Sequence, residues 1–451
     1  MPAPEPLARE LERLVRDAQA EARLPSLNAA VFGDGEAAWS LAVGLADTEA
    51  GEEATPEHQY RVASITKTFV AASIFQLRDA SRLDLEDPLS RHVPEAVHAP
   101  TLGRMLSHLT GLQREPPGDV WETLEMPSPE ELLDRLGEAE QVLAPHEEYH
   151  YSNLAYALLG EVIARVSGTS FEQYVEERLL RPLGLDSTGW EPQRPARPYY
   201  VEPYFDGVQE EPEVRMGGAN AAGGLWSTAR DLARWGSFLA DPDEAILSRA
   251  SAAQMRSVQA MLDQDTWNAA HGLGLQLWRR CERVFAGHTG GFPGFVSILA
   301  WSPKEKAGAV ALTNASSWPA LADVGLALAE KAADELGARR EAWRPGDAPP
   351  EEVAPLLGPW WSEASEFVFS WRDGKLQAEL AGVPTVLPPA VFEPEGPDLW
   401  RTISGRERGE RLRVVRDDDG EIVKLYWATY PFTRVPEPFG VAQRSPAAKN
   451  P

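Results

Sequence analysis

The sequence predicts an α/β protein of two domains: one sheet shared by two distant strand groups, a helical stretch between them, then a small all-β domain. Three observations predict it. Apolar strand-like runs at residues 27–32 and 37–43 are matched far downstream by runs at 295–299 and 308–312. The residues between read mostly as helices, so the two strand groups can share one sheet with the helical middle as an insert beside it. Beyond a Pro/Gly/Glu-rich linker at 344–352 the pattern changes to short strands and turns.

Taken in order, Leu7, Leu11, Leu14, Val15 and Ala18 recur at helical spacing and give an amphipathic first helix. Gly33-Asp34-Gly35 separates the first two strands as a hairpin signal. Thr68 to Phe75 is an uncharged run that reads as a buried helix. Further helices are expected at 101–108, 129–136, 154–166, 171–180, 228–239 and 321–336. The boundaries that follow are 1–343 for the first domain, with its helical insert at roughly 85–270, and 353–440 for a small β-barrel-like domain. A loose tail covers 441–451. Trp360, Trp361, Trp371, Trp400 and Trp427 are expected to pack inside the β-domain.

Composition bounds the function. At 451 residues, 43% hydrophobic and 25% charged, the chain is globular. A net charge of -26 opposes nucleic-acid and anionic-membrane partners, which attract basic surfaces. The single cysteine, Cys281, excludes an internal disulfide and a cysteine metal cluster. The first residues hold neither a basic region nor an apolar core, and no apolar run is long enough to span a bilayer. The expected location is the cytoplasm.

The chemistry-bearing stretch is Arg61-Val62-Ala63-Ser64-Ile65-Thr66-Lys67. Ser64 and Lys67 are three residues apart at the mouth of the apolar helix, so their side chains can meet. A serine hydroxyl becomes a useful nucleophile when a base takes its proton, and a lysine can be that base when burial lowers its pKa. Lysine is scarce here, so one at the start of an apolar helix stands out. Tyr151-Ser152-Asn153 supplies a phenol that can pass a proton and an amide that can hold both lysine and a substrate carbonyl. His288-Thr289-Gly290-Gly291-Phe292-Pro293-Gly294, placed just before a strand, offers backbone N–H groups to an oxyanion.

Ser64-x-x-Lys67, Tyr151-x-Asn153 and His288-x-Gly290, in this order, resemble the three motifs of the penicillin-recognising serine hydrolases. The nearest branch is the class C β-lactamase-like one, with its D-peptidases and esterases. Residues 106–112, 181–185 and 222–228 resemble it too, and the likeness covers roughly residues 7–337. It implies a β-lactamase/transpeptidase-like α/β (α+β) fold, with an antiparallel sheet flanked by helices and an all-helical subdomain beside the site. The last domain is similar to the lipocalin-like domains that follow this fold in some members. The resemblance also implies Ser64 as nucleophile, Lys67 and Tyr151 as the proton-handling pair, and Asn153 as a ligand of substrate and lysine. His288, Thr289 and Gly290 would bind substrate, and the N–H groups of Ser64 and Gly291 would form the oxyanion hole. β-Lactamases usually carry lysine where this chain has His288, which points to small esters or amides.

The expectation is therefore a serine hydrolase working through an acyl-enzyme without metal or cofactor. The alternatives are a peptidase on D-amino-acid or other small peptides, a weak β-lactamase, and a non-catalytic binding protein of the same fold. The acyl group, leaving group and oligomeric state stay open. His146-Glu147-Glu148-Tyr149-His150 matches H-E-x-x-H, but that zinc site needs a helix and Pro145 precedes this run, so coincidence is expected. His108 is expected to bond locally at its helix–loop junction. The G-x-S-x-G elbow of α/β-hydrolases is absent.

Overall fold

A computed structural model describes residues 2–33, 35–146, 148–337, 343–382 and 388–439. The chain divides into two compact units, Met1–Arg339 and Arg340–Pro451.

The first unit is built on a nine-stranded antiparallel sheet. Its strands are β1 (Ser26–Gly33), β2 (Glu36–Asp47), β3 (Glu52–Glu53), β4 (Ala260–Met261), β5 (Ala269–His271), β6 (Gln276–Arg280), β7 (Arg283–Phe292), β8 (Phe295–Ser302) and β9 (Ala307–Thr313). Their order across the sheet is β3-β2-β1-β9-β8-β7-β6-β5-β4. The two strand groups expected from the sequence thus meet where β1 pairs with β9, from Leu27 opposite Thr313 to Gly33 opposite Ala307. Both strands are buried along their whole length and apolar apart from Ser26, Asn28 and Thr313, which is the signature of a sheet covered on both faces. The expected hairpin is present in register, with Gly33 opposite Glu36, while Asp34 at its tip lies outside the described residues.

Helices cover the two faces. On one, α1 (Glu5–Glu21) buries Leu7, Leu11 and Val15, four residues apart, in the same apolar cluster as helix Leu321–Glu335 near the end of the unit. On the other lies the larger core, into which α2 (Thr66–Asp79) is sunk on all sides from Thr66 to Phe75. α3 (Asn153–Ser167) and α4 (Ala229–Ala240) pack in that core as well. Phe69 of α2 stacks on Trp235 of α4, with ring centroids 3.9 Å apart.

The insert between the strand groups is not helical throughout. Tyr199–Val201 pairs with Val208–Glu210, and Trp226–Ser227 pairs with Tyr60–Arg61. The second pairing ties the insert to the residues just ahead of Ser64. The helix expected over 171–180 is α-helical only to Val175 and continues as a wider π turn over Glu176–Leu180. No helix among the described residues is long and apolar enough to cross a membrane.

The second unit is an eight-stranded antiparallel meander from Gly358–Ser362 to Tyr430–Phe432, with neighbours in sequence order. Paired hydrogen bonds between Trp361 and Thr433 join its two ends into a nearly closed barrel. Trp360, Trp400 and Trp427 fill the interior with Phe367, Phe369 and Phe392, whereas Trp361 and Trp371 are half-buried. Residues 441–451, expected to be a loose tail, lie outside the described residues.

Candidate active site

Ser64 sits in a one-turn 3-10 helix, Ala63–Ile65, that feeds directly into α2. The turn hands Ser64 onto the first turn of α2, where Lys67 three residues on shares its face. The preceding Ala63 takes a left-handed φ of 47°, a strained conformation for a residue with a Cβ. Strand β7 passes close by. A Cβ at Gly290 would stand 2.2 Å from the Val62 carbonyl oxygen and 2.3 Å from Ser297 Oγ, so only glycine lets β7 approach the nucleophile's turn this closely. Ser297 Oγ–H donates to the same carbonyl at 2.9 Å.

Lys67 is fully buried, and its Nζ has three oxygen neighbours. Ser64 Oγ lies at 3.1 Å, Asn153 Oδ1 at 2.8 Å and the Ala222 carbonyl at 2.6 Å. Burial holds its pKa well below the ordinary lysine value. The Glu115 charge opposes that shift and the Arg114 charge adds to it. A neutral amine has two N–H bonds and one lone pair. The amide oxygen and the carbonyl can only accept, so they take both N–H bonds and leave the lone pair on the Ser64 hydroxyl. That is the arrangement a general base requires.

Asn153 opens α3, capped by Ser152 Oγ accepting the Ala155 N–H. Its Nδ2 donates to Glu115 Oε1 at 2.8 Å. Tyr151 lies ahead of the cap, its ring centroid 4.9 Å from Lys67 Nζ and 5.0 Å from the Arg114 guanidinium. Burial pushes its phenol pKa up, with the Ser64 side chain working against the shift, so the hydroxyl keeps its proton. The Tyr151 ring stacks on His108 at 4.2 Å.

The third motif sits differently from its expected place before a strand. His288 to Phe292 form the end of β7 itself, paired with β8 from His288 opposite Leu299 to Phe292 opposite Phe295. The turn is only Pro293-Gly294, where Gly294 has φ 76°. A glycine-rich run reads as a loop in one dimension, but the β8 ladder holds it extended. In an antiparallel ladder, hydrogen-bonded pairs alternate. Counting from the Phe292–Phe295 pair that closes the turn, the Gly291 N–H points away from β8. Gly291 is exposed, Thr289 half-buried and His288 buried at 1% exposure. The His288 ring donates Nδ1–H to the Thr289 carbonyl at 2.6 Å, and its centroid lies 6.3 Å from that of Tyr151.

Ser64, Lys67, Tyr151, Asn153 and His288 therefore come together from three distant segments. Sequence reasoning missed Glu115, Ala222, Tyr149 and His271. It also placed His108 in a purely local role, whereas His108 Nδ1 accepts the N–H of Ser152, 44 residues away. Arg61 was passed over as well. It is 6% exposed, with its guanidinium 4.9 Å from the Trp226 ring and 4.7 Å from the Phe292 ring. Burial lowers its pKa to about 10. The H-E-x-x-H match falls in a non-helical segment, with His146 left-handed at φ 72° and Glu147 outside the described residues.

This sheet, its flanking helices and the serine–lysine–tyrosine cluster at the start of a buried helix define the β-lactamase/transpeptidase-like class. Residues 11–334 match the family model described as Beta-lactamase, and the chain belongs to that family. Residues 349–434 match a family described as a domain of unknown function (DUF7586). Beta-lactamase-like protein 2 of Dictyostelium discoideum is 28% identical over 57% of this chain and 50% of its own length. The chain therefore spans half of that relative. The D-alanyl-D-alanine-carboxypeptidase/endopeptidase AmpH of Escherichia coli is 28% identical over 60% of this chain and 75% of its own. Esterase EstB of Burkholderia gladioli is 31% identical over 47% and 58%. Among solved structures, the octameric penicillin-binding protein homologue from Pyrococcus abyssi shares the fold at a TM-score of 0.64 and 22% identity, over 94% of this chain and 99% of its own. The D-amino acid amidase of Ochrobactrum anthropi SV3, complexed with D-phenylalanine, has a TM-score of 0.62 and 25% identity over 71% and 98%.

Proposed function

We propose that this chain is a serine hydrolase that acts on small esters or amides through an acyl-enzyme on Ser64. The observation that carries the reading is the set of neighbours around Lys67 Nζ, which directs a neutral amine's lone pair at the Ser64 hydroxyl. Lys67 takes the proton as Ser64 attacks the carbonyl carbon. The N–H groups of Ser64 and Gly291 receive the oxyanion, a contribution typically worth about 10²- to 10³-fold per donor. Tyr151, held as a neutral phenol, donates to the leaving oxygen or nitrogen and regains its proton by way of Lys67. Water then attacks the Ser64 ester over the same groups, and the acid departs. Asn153 holds Lys67 and the substrate carbonyl, with Thr289 and Gly290 along the substrate's other edge. His288 shapes the site from behind Tyr151.

A second reading is favoured by Glu115. Its Oε1 accepts from Asn153 Nδ2 and lies 3.5 Å from the Arg114 guanidinium, and Oε2 is the oxygen an incoming cation would meet. This favours acyl groups bearing a protonated amine, such as an amino-acid amide or the end of a short peptide, in keeping with the carboxypeptidase and amidase among the relatives. The deciding experiment compares kcat/KM for a nitrophenyl acetate, D-phenylalanine amide and a penicillin, with the Ser64→Ala variant as control. Turnover of the ester or the amide that vanishes in the variant supports the proposal. Equal rates in both proteins, or no turnover of any substrate, favour a non-catalytic binding protein.

A further inference from the structure

Three buried imidazoles lie behind Tyr151, and the proposed reaction uses two of them at most. His108 follows helix Leu102–Leu106, His271 ends β5 and His288 lies in β7, and each is 0–1% exposed. Ring centroids are 4.9 Å apart for His108 and His271 and 6.2 Å apart for His271 and His288.

Their hydrogen bonds fix their tautomers. The Ser152 N–H can only donate, so His108 Nδ1 accepts it at 3.1 Å and the ring proton sits on Nε2. The Gly272 and Thr289 carbonyls can only accept, so His271 (2.9 Å) and His288 (2.6 Å) carry their proton on Nδ1 and a lone pair on Nε2. All three Nε2 atoms are buried without a partner among the described residues. One orphaned donor and two orphaned acceptors in one cluster are unusual in a folded interior.

The set is complementary to one water molecule, which accepts the His108 N–H and donates one O–H to His271 and one to His288. A metal ion would meet the His108 proton, and an ammonium group has no acceptor for it. An oxygen about 2.9 Å from two ring nitrogens requires their centroids to lie within about 8 Å of one another, and the 4.9 and 6.2 Å separations meet that condition.

We propose that a single buried water bridges His108, His271 and His288, and that His271 is a positioning residue that fixes Tyr151 through the His108 ring stacked on it. The role in turnover rests on the hydrolase reading above. The groups facing the cluster are Lys67 of α2, Arg114, and the phenols of Tyr149, Tyr151 and Tyr156. Among the described residues no carboxylate contributes to the shift of any of the three rings. Burial is the largest cause of the downward shift at each of the three rings and favours their neutral form.

The test uses the full chain with its eight histidines labelled with 15N. At pH 7 a long-range 1H–15N spectrum is expected to show His108 protonated on Nε2 and His271 and His288 on Nδ1, and a crystal structure to show one ordered oxygen among them. His271→Phe is expected to lower kcat by between about tenfold and 100-fold with KM within about twofold. His271→Gln, which restores an acceptor, recovers most of that loss. An empty space among the rings, or His108 protonated on Nδ1, overturns the water. Equal kcat in the Phe and Gln variants overturns the positioning role. Spectrum and density read the water without turnover, so an inactive wild-type protein removes the hydrolase reading and the positioning role with it, whereas a missing water removes this inference alone.

Discussion

Lys67 Nζ lies 2.8 Å from Asn153 Oδ1, an oxygen that can only accept, and this contact decides which way the amine faces. Asn153 is turned to present that oxygen because its Nδ2 is engaged by Glu115 at 2.8 Å. A carboxylate thus orients an amide and the amide orients an amine, which in its neutral form has its lone pair left for Ser64.

Glu115→Gln separates the carboxylate's two roles. Glutamine keeps an acceptor for Asn153 and removes the charge. The expected outcome is a rise in KM of roughly tenfold or more for D-phenylalanine amide, the size of one charge-assisted hydrogen bond. Kinetics with a neutral acetyl ester should change by less than about threefold. Equal effects on both substrates would show that Glu115 acts through Asn153 and the Lys67 charge balance, with no contact to the substrate amine.

Tyr151→Phe keeps the ring against His108 and removes the hydroxyl. General acid–base groups are worth about 10²- to 10⁴-fold. The variant is expected to lose at least about 10² in kcat on an amide, whose leaving nitrogen must be protonated. It should lose less on a nitrophenyl ester, whose leaving oxygen departs unaided. The ratio of the two losses is the measurement, and a ratio of one contradicts the donor role.

Much of this site was legible from spacing. Ser64 and Lys67 announced themselves by three residues and an apolar helix, and Tyr151 and Asn153 by the cap of the next one. Ala222 could not be found that way, because it contributes a backbone carbonyl that any residue has. Glu115 is one acid among sixty-nine acidic residues until the fold sets it against Asn153. His271 reaches the cluster through strand pairing with Gln276, a relationship set by register. The β1–β9 pairing that closes the sheet joins residues nearly three hundred apart, yet it followed from two apolar runs that needed a shared cover.

Gly290→Ala tests how β7 is seated. A methyl group 2.2 Å from the Val62 carbonyl forces the strand off the nucleophile's turn. Overpacking of this kind costs about 1–3 kcal/mol. The expected result is a lower Tm and a kcat loss that exceeds the effect on KM, because Gly291 moves with the strand. An unchanged Tm with normal kcat would show that β7 is not held against Val62.

Histidine burial predicts a pH dependence of stability. His108, His271 and His288 are all shifted down, His271 from 6.5 to about 4. Below about pH 6.5 the unfolded chain binds protons that the folded chain refuses, so stability is greatest above that value and falls as pH drops toward 4. For His271 alone the loss by pH 4 is on the order of 3 kcal/mol. Tm measured from pH 7 to pH 5 should fall, and fall less in His271→Phe. A flat profile in the wild-type protein contradicts neutral burial of the cluster.

The most direct measurement is covalent labelling with a fluorophosphonate, read by intact mass and peptide mapping. One adduct per chain, on Ser64, with labelling slowed by about 10² or more in Lys67→Met, is the predicted result. An adduct on any other residue, or a rate indifferent to Lys67, would contradict the serine–lysine chemistry proposed for this chain.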